Sequence, residues 1–244
     1  METYLNHLLN NFARLHAPMA KTALTVLTLL SIFPLDAYAH GVTVGDKGYI
    51  QEISGAHVIP FIYLGAKHMV TGYDHVLFLF GVIFYLYKLK DVSLYVSLFA
   101  VGHSLTLMAG VFLGVNVSPY LIDAIIGVSV IYKALDNLDA FHIWFGIQPN
   151  AKAATLVFGL FHGLGLAAKI RDFNISQDGL FSNLVSFNVG VEIGQILALG
   201  FILVVMGYLR SSRNFKSYSY AINVVLASAG FLLVEYQVAG WILS

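Results

Sequence analysis

Histidines and carboxylates recur inside the most apolar stretches of this chain. His68 precedes Asp74 and His75, His103 precedes Ser104 and Thr106, and Asp123, His162, Asn188, Glu192, Gln195 and Glu235 follow. Imidazole with carboxylate is a donor set suited to Ni(II), Co(II), Zn(II), Fe(II) or Mn(II). The chain has no cysteine and five methionines. That removes disulfide scaffolds, iron–sulfur clusters and thiolate zinc sites, and argues against a soft Cu(I) path. The candidate metal ligands are therefore His68, Asp74, His75, His103, His162 and Glu192, with Ser104, Asp123, Asn188 and Gln195 as supporting polar groups.

Helical spacing groups these residues further. Asn188, Glu192 and Gln195 stand at i, i+4 and i+7, one stripe of a helix. His68 and His75 are seven apart and share a face if a helix runs unbroken from residue 68. Asp74, one position from His75, is close enough to ligate a metal or to orient the imidazole. Each has a plainer reading: Asp74 as a helix cap, His103 and His162 as packed histidines, Asp123 as a solvated residue, Glu235 as a side chain snorkelling to the surface. Against these stands the cost of placing an ionised group at the centre of a bilayer, at least ~2.5–3.5 kcal/mol on insertion scales, which makes intramembrane ionisable residues functional candidates.

The elements that must carry these groups are membrane helices. The 244 residues are 58% hydrophobic and 11% charged, with 13 Lys+Arg against 13 Asp+Glu. A soluble domain carries about 25% charged residues, so the composition indicates an integral membrane protein, and the balanced charge gives no reason to expect nucleic acid. Apolar runs cover about 70–87, 92–115, 118–135, 153–169, 182–209 and 219–243. Runs near 20 residues cross the hydrocarbon as helices, since a bilayer tolerates no open strand edge. The alternation of a membrane β-barrel is absent. The predicted fold is all-α, with about six transmembrane helices after a cleavable N-terminal signal peptide. Gly110/Gly114, Gly159/Gly163 and Gly190/Gly194 form G-x-x-x-G pairs that let helices approach closely.

Residues 1–39 have the pattern of that signal peptide. Arg14 and Lys21 precede an apolar run from Thr22 to Phe33, Pro34 ends it, and Ala37-Tyr38-Ala39 provides a cleavage site. The alternative is a retained first helix. Residues 40–69 form an outer lead-in interrupted by Pro60, and 70–244 form the six-helix domain. With the mature N-terminus outside, the inner loops hold Lys88, Lys90, Lys133, Lys152, Arg210, Arg213 and Lys216, and the outer side holds Lys47, Lys67, Lys169 and Arg171. This bias orients the chain in a bacterial inner membrane with both mature ends on the outer, periplasmic side. His75, Asp123, Asn188, Glu192, His162 and Glu235 then fall in the outer half of the bundle, with His103 near the middle.

Four segments carry a family resemblance. They are H-M-V-T-G-Y-D-H from His68 to His75, F-A-V-G-H-S-L-T-L around His103, F-G-L-F-H-G-L-G around His162, and F-N-V-G-V-E-I-G-Q from Phe187 to Gln195. In order and spacing the chain resembles the HupE/UreJ family of membrane proteins. The resemblance implies a role in nickel or cobalt uptake and partners in hydrogenase or urease maturation. It carries over His68, Asp74, His75, His162 and Glu192 as candidate metal-site residues, and His103 as a member of a matched motif. Two departures stand out. The third run has Asp123 where many relatives have a glutamate. After His162 the chain reads Gly-Leu-Gly, without the second histidine and nearby glutamate of the nickel-permease pattern.

The expected function is binding and transport of a divalent transition metal (Ni, Co or Zn) through a histidine–carboxylate site in the outer half of the bundle. Its partners would be the metal ion, the lipid bilayer, and metalloenzyme-maturation or coupling proteins. No phosphate-binding loop is present, so no ATPase activity of its own is expected. The alternatives are an intramembrane zinc hydrolase acting on a lipid-like substrate, with Ser104 near the metal, and a metal-binding accessory subunit without transport.

Overall fold

The computed structural model describes residues 54–171 and 176–244. The signal peptide read at 1–39 and the first part of the lead-in lie outside the described residues. Among the described residues all regular structure is helical: α1 Val58–Thr71, α2 Tyr73–Ile83, α3 Leu89–Phe112, α4 Pro119–Asn137, α5 Ala140–Phe145, α6 Ala151–Arg171, α7 Leu180–Ser211 and α8 Phe215–Leu243. Four of these, α3, α6, α7 and α8, are long and apolar enough to cross a membrane. Large apolar side chains such as Val101, Val189, Ile196, Phe201 and Phe231 face outward, as lipid-facing surfaces do.

Two expected runs take a different form. The run expected over 70–87 is an 11-residue helix, α2, preceded by α1. Pro60 does not interrupt α1. It sits in the first turn, where a missing N–H removes no intrahelical bond. α4 is 19 residues long but carries Asp123, Lys133 and Asp136, and it does not stand among the four helices long and apolar enough to cross.

The bundle is assembled from three close helix pairs: α1 with α7, α3 with α6, and α4 with α8. Glycine makes each approach possible. A methyl group on Gly65 or Gly190 would overlap the backbone of Phe187 or Ile62 across the α1–α7 contact. Gly159 and Gly163 stand equally close to the backbone of Phe99 and His103 on α3, and Gly127 and Gly230 face each other's helices in the third pair. Without lipid-driven hydrophobic attraction between helices, such backbone proximity supplies the packing. Gly114 takes no part: it ends α3 with φ +60° and nothing lies within 4 Å of where its Cβ would be.

α2 fills the centre. Phe78, Leu79, Val82 and Ile83 are buried, followed by Phe84. A buried helix end must satisfy its last carbonyls, and Arg210 of α7 does so, donating from Nη2 to Ile83 O at 2.6 Å and Phe84 O at 2.8 Å. Its guanidinium lies 4.4 Å from the centre of the Tyr87 ring. Asn137 of α4 adds bonds of 2.9 Å to Gly81 O and to Asn223 Oδ1 of α8. α2, with the residues that bear on the site at its first turn, is thereby fixed in depth.

Candidate metal centre

The break between α1 and α2 creates the site. Gly72 interrupts the helix with ψ 99°. Its N–H still reaches His68 O at 2.9 Å and its carbonyl accepts from Val76 N at 3.1 Å, so one residue makes the bend with its backbone groups paired. A Cβ here would fall 2.8 Å from His75 Nδ1 and 3.2 Å from Asp74 Oδ1. Only glycine lets these side chains fold back against the bend. His68 therefore meets His75 across a bend, with ring centroids 5.0 Å apart, and not along the unbroken helix that their spacing suggested.

Two further helices bring imidazoles to the same place. His103 projects from the middle of α3, its ring 5.8 Å from His75 and 6.4 Å from His68. One ring nitrogen from each of His68, His75 and His103 lies within 4.8 Å of the other two. His162 of α6 stands 4.9 Å from His75 by ring centroids. All four histidines are buried.

Hydrogen bonds settle which nitrogens face the centre. Asp74 Oδ1 accepts from His75 Nδ1 at 3.1 Å and from the His75 backbone N–H at 2.8 Å. A carboxylate accepts, so the proton sits on Nδ1 and Nε2 carries a lone pair. His162 Nδ1 donates to Phe158 O at 2.7 Å, which fixes the same tautomer. Bonds of this kind, to a carboxylate or a backbone carbonyl, orient metal-ligating histidines. Both ring nitrogens of His103 are buried and have no hydrogen-bond partner among the described residues. A buried polar group left so costs about 1–3 kcal/mol, and a metal ion at this point would satisfy it. The donor set fits a borderline divalent cation.

The remaining predicted residues separate from this cluster. Glu192 is exposed on the outer face of α7, flanked by exposed Val189 and Ile193, and does not join the histidines. The stripe it was expected to form with Asn188 and Gln195 is divided: Asn188 Nδ2 bonds its own helix at Leu184 O, 3.0 Å, and Gln195 Nε2 reaches Val96 O of α3 at 3.2 Å. Neither orients the carboxylate. Gly190 and Gly194 turn toward α1, and Glu192, two residues from each and so on the far side of the helix, is turned away. Asp123 is buried on α4, where its Oδ2 accepts from Lys169 Nζ of α6 at 2.6 Å. Ser104 is half-buried and makes no hydrogen bond to the histidines among the described residues. Glu235 is exposed on α8, and His57 bonds Ser54 O at 3.1 Å outside the cluster.

Three residues not among the sequence candidates for the site bear on it. Phe99 touches three of the histidine rings, at 4.8 Å from His162, 6.0 Å from His75 and 6.2 Å from His103. Its position four residues before His103 was the available signal. Lys169, read only as one of the outer-side basic residues, lies on α6 seven residues from His162, on the same face. Thr106 Oγ1 pins α3 to α6 by donating to Leu160 O at 2.6 Å.

A family model described as HupE / UreJ protein matches residues 44–244. The chain belongs to this family. The match spans every helix of the described residues, and all four segments that carried the resemblance lie inside it. No curated protein and no solved structure matches the chain. As a HupE/UreJ protein it combines helices long and apolar enough to span a membrane with a buried histidine cluster contributed by α1, α2, α3 and α6.

Proposed function

We propose that this HupE/UreJ protein carries a divalent transition metal ion of the nickel or cobalt kind across the bacterial inner membrane. One observation carries the reading: His68, His75 and His103 arrive from three helices with ligand nitrogens within 4.8 Å of one another. His162 is the fourth ligand and Asp74 orients His75. Glu192 is not a ligand in this reading. Six membrane crossings follow if α1 and α2 together make the first and α4 makes the third. The bundle end that holds Lys88, Lys152, Arg210 and Lys216 then faces the cytoplasm by the positive-inside rule.

Asp74 Oδ1 lies 3.1 Å from His75 Nδ1, so a carboxylate stands beside the imidazoles that would hold the cation. The hydrolase alternative draws less support, because Asp74 is already bonded to His75.

The test is uptake into proteoliposomes with elemental analysis of the purified protein. Saturable entry of nickel or cobalt, lost in His75→Ala and His162→Ala while both variants remain folded, is the expected result. Bound metal without flux would reduce the reading to an accessory role, and the absence of both would remove it.

A further inference from the structure

Each of three site histidines has a phenylalanine one helical turn away, always toward the same end of the bundle. Phe78 follows His75 by three residues on α2, Phe99 precedes His103 by four on α3, and Phe158 precedes His162 by four on α6. α2 runs toward the end where α3 and α6 begin, so all three rings lie on the side of the basic loops. They touch. Phe78 and Phe99 are 5.3 Å apart by ring centroids, and Phe78 and Phe158 are 5.9 Å apart. Phe78 and Phe99 also abut His162, at 5.6 and 4.8 Å. Tyr132 continues the contact at 5.2 Å from Phe158, and Phe141 on the short helix α5 lies 5.1 Å beyond.

We propose that Phe78, Phe99 and Phe158 form the inner gate of the histidine site, closed in this structure, with Phe158 as its moving part. The proposal rests on reading the histidines as a transport site. Rings packed at these distances leave no room for a hydrated cation, so the ion moves inward only when they part. Phe78 and Phe99 are fully buried and tightly held, whereas Phe158 is half-buried at the edge of the layer. Phe158 also shares its helix with His162 and accepts the His162 Nδ1–H bond on its own carbonyl. A rotation of α6 therefore moves a ligand and a gate ring together. The α3–α6 contact is close at Gly102, Gly159 and Gly163, and Thr106 Oγ1 bonds Leu160 O at 2.6 Å, so such a rotation breaks that one bond or carries α3 with it.

The chain has no cysteine, so a single introduced thiol reports access. His103→Cys in metal-free vesicles places that thiol above the gate. A membrane-impermeant methanethiosulfonate applied from the basic-loop side should label it slowly. Adding Phe158→Ala should raise that rate about tenfold or more and leave labelling from the opposite side within about twofold, as expected when a gate and not the whole bundle is loosened. Phe78→Leu, closer to the native volume, is the second variant and should give a smaller rise in the same direction. Equal rates with and without these substitutions overturn the gate, as does a rise from both sides alike. Metal content of the unmutated chain is read separately. Its absence defeats the transport reading and leaves labelling to decide the gate, while bound metal with unchanged labelling defeats the gate alone.

Discussion

The histidine cluster and the Glu192 stripe are both polar insertions in apolar helices, and the bundle treats them in opposite ways. His68, His75, His103 and His162 are buried and face one another from four helices. Asn188, Glu192 and Gln195 share one helix, and neighbouring contacts divide them: Gln195 is buried against α3, while Glu192 remains on the apolar outer face. The difference lies in what surrounds each backbone. The histidines lie beside glycine, Gly72 at the bend and Gly163 at the α3 contact, where a second helix can close over them. On α7 the glycines adjoining Glu192 point to α1, so closure on one side turns the carboxylate to the other. A periodic stripe names a face without saying which way the face looks.

The largest effects are expected at the ligands. His75→Ala should lower metal affinity by more than the about 10- to 100-fold typical of an orienting partner, measured by titration of purified protein. Asp74→Asn should fall inside that about 10- to 100-fold range, because it loosens His75 without removing a donor. A loss in Asp74→Asn as large as in His75→Ala would make Asp74 a ligand itself.

Intermediate effects are expected at the glycines. Gly163→Ala places a methyl against the backbone of His103 and should cost about 1–3 kcal/mol by overpacking, seen as a lower melting temperature in detergent. Gly200→Ala on α7 meets nothing within 4 Å and should be neutral or raise stability by up to about 1 kcal/mol, the helix-propensity gain. Equal behaviour of the two would mean that the α3–α6 approach is looser than described. The smallest effect is expected at Glu192. Glu192→Gln should leave bound metal within about twofold of the unmutated chain, since an exposed carboxylate outside the cluster holds no metal in the resting site. A loss as deep as that of a histidine variant would return Glu192 to the site.

Much of the architecture was legible beforehand. Apolar runs located α3, α6, α7 and α8 because length and hydropathy are properties of contiguous residues, and the family followed from four ordered segments. The bend at Gly72 was not legible. The segment H-M-V-T-G-Y-D-H reads equally well as continuous helix, and the bend is favoured only because His75 and Asp74 fold back onto a backbone that lacks a Cβ. Nor was the partner of Lys169 legible: the residue stands at the end of its apolar run, and only the packing of α4 against α6 brings Asp123 Oδ2 to accept a hydrogen bond from its Nζ at 2.6 Å.

Residue types and their order are enough to make this chain a helical membrane protein of the HupE/UreJ family, with histidine and carboxylate as the groups able to act within it. Those properties are local: composition, run length and the order of short segments. Only the tertiary structure decided which of the polar groups meet, because burial of a side chain depends on the helix that covers it. Here close contacts at glycine, made between residues far apart in the chain, enclosed the histidines and turned Glu192 outward.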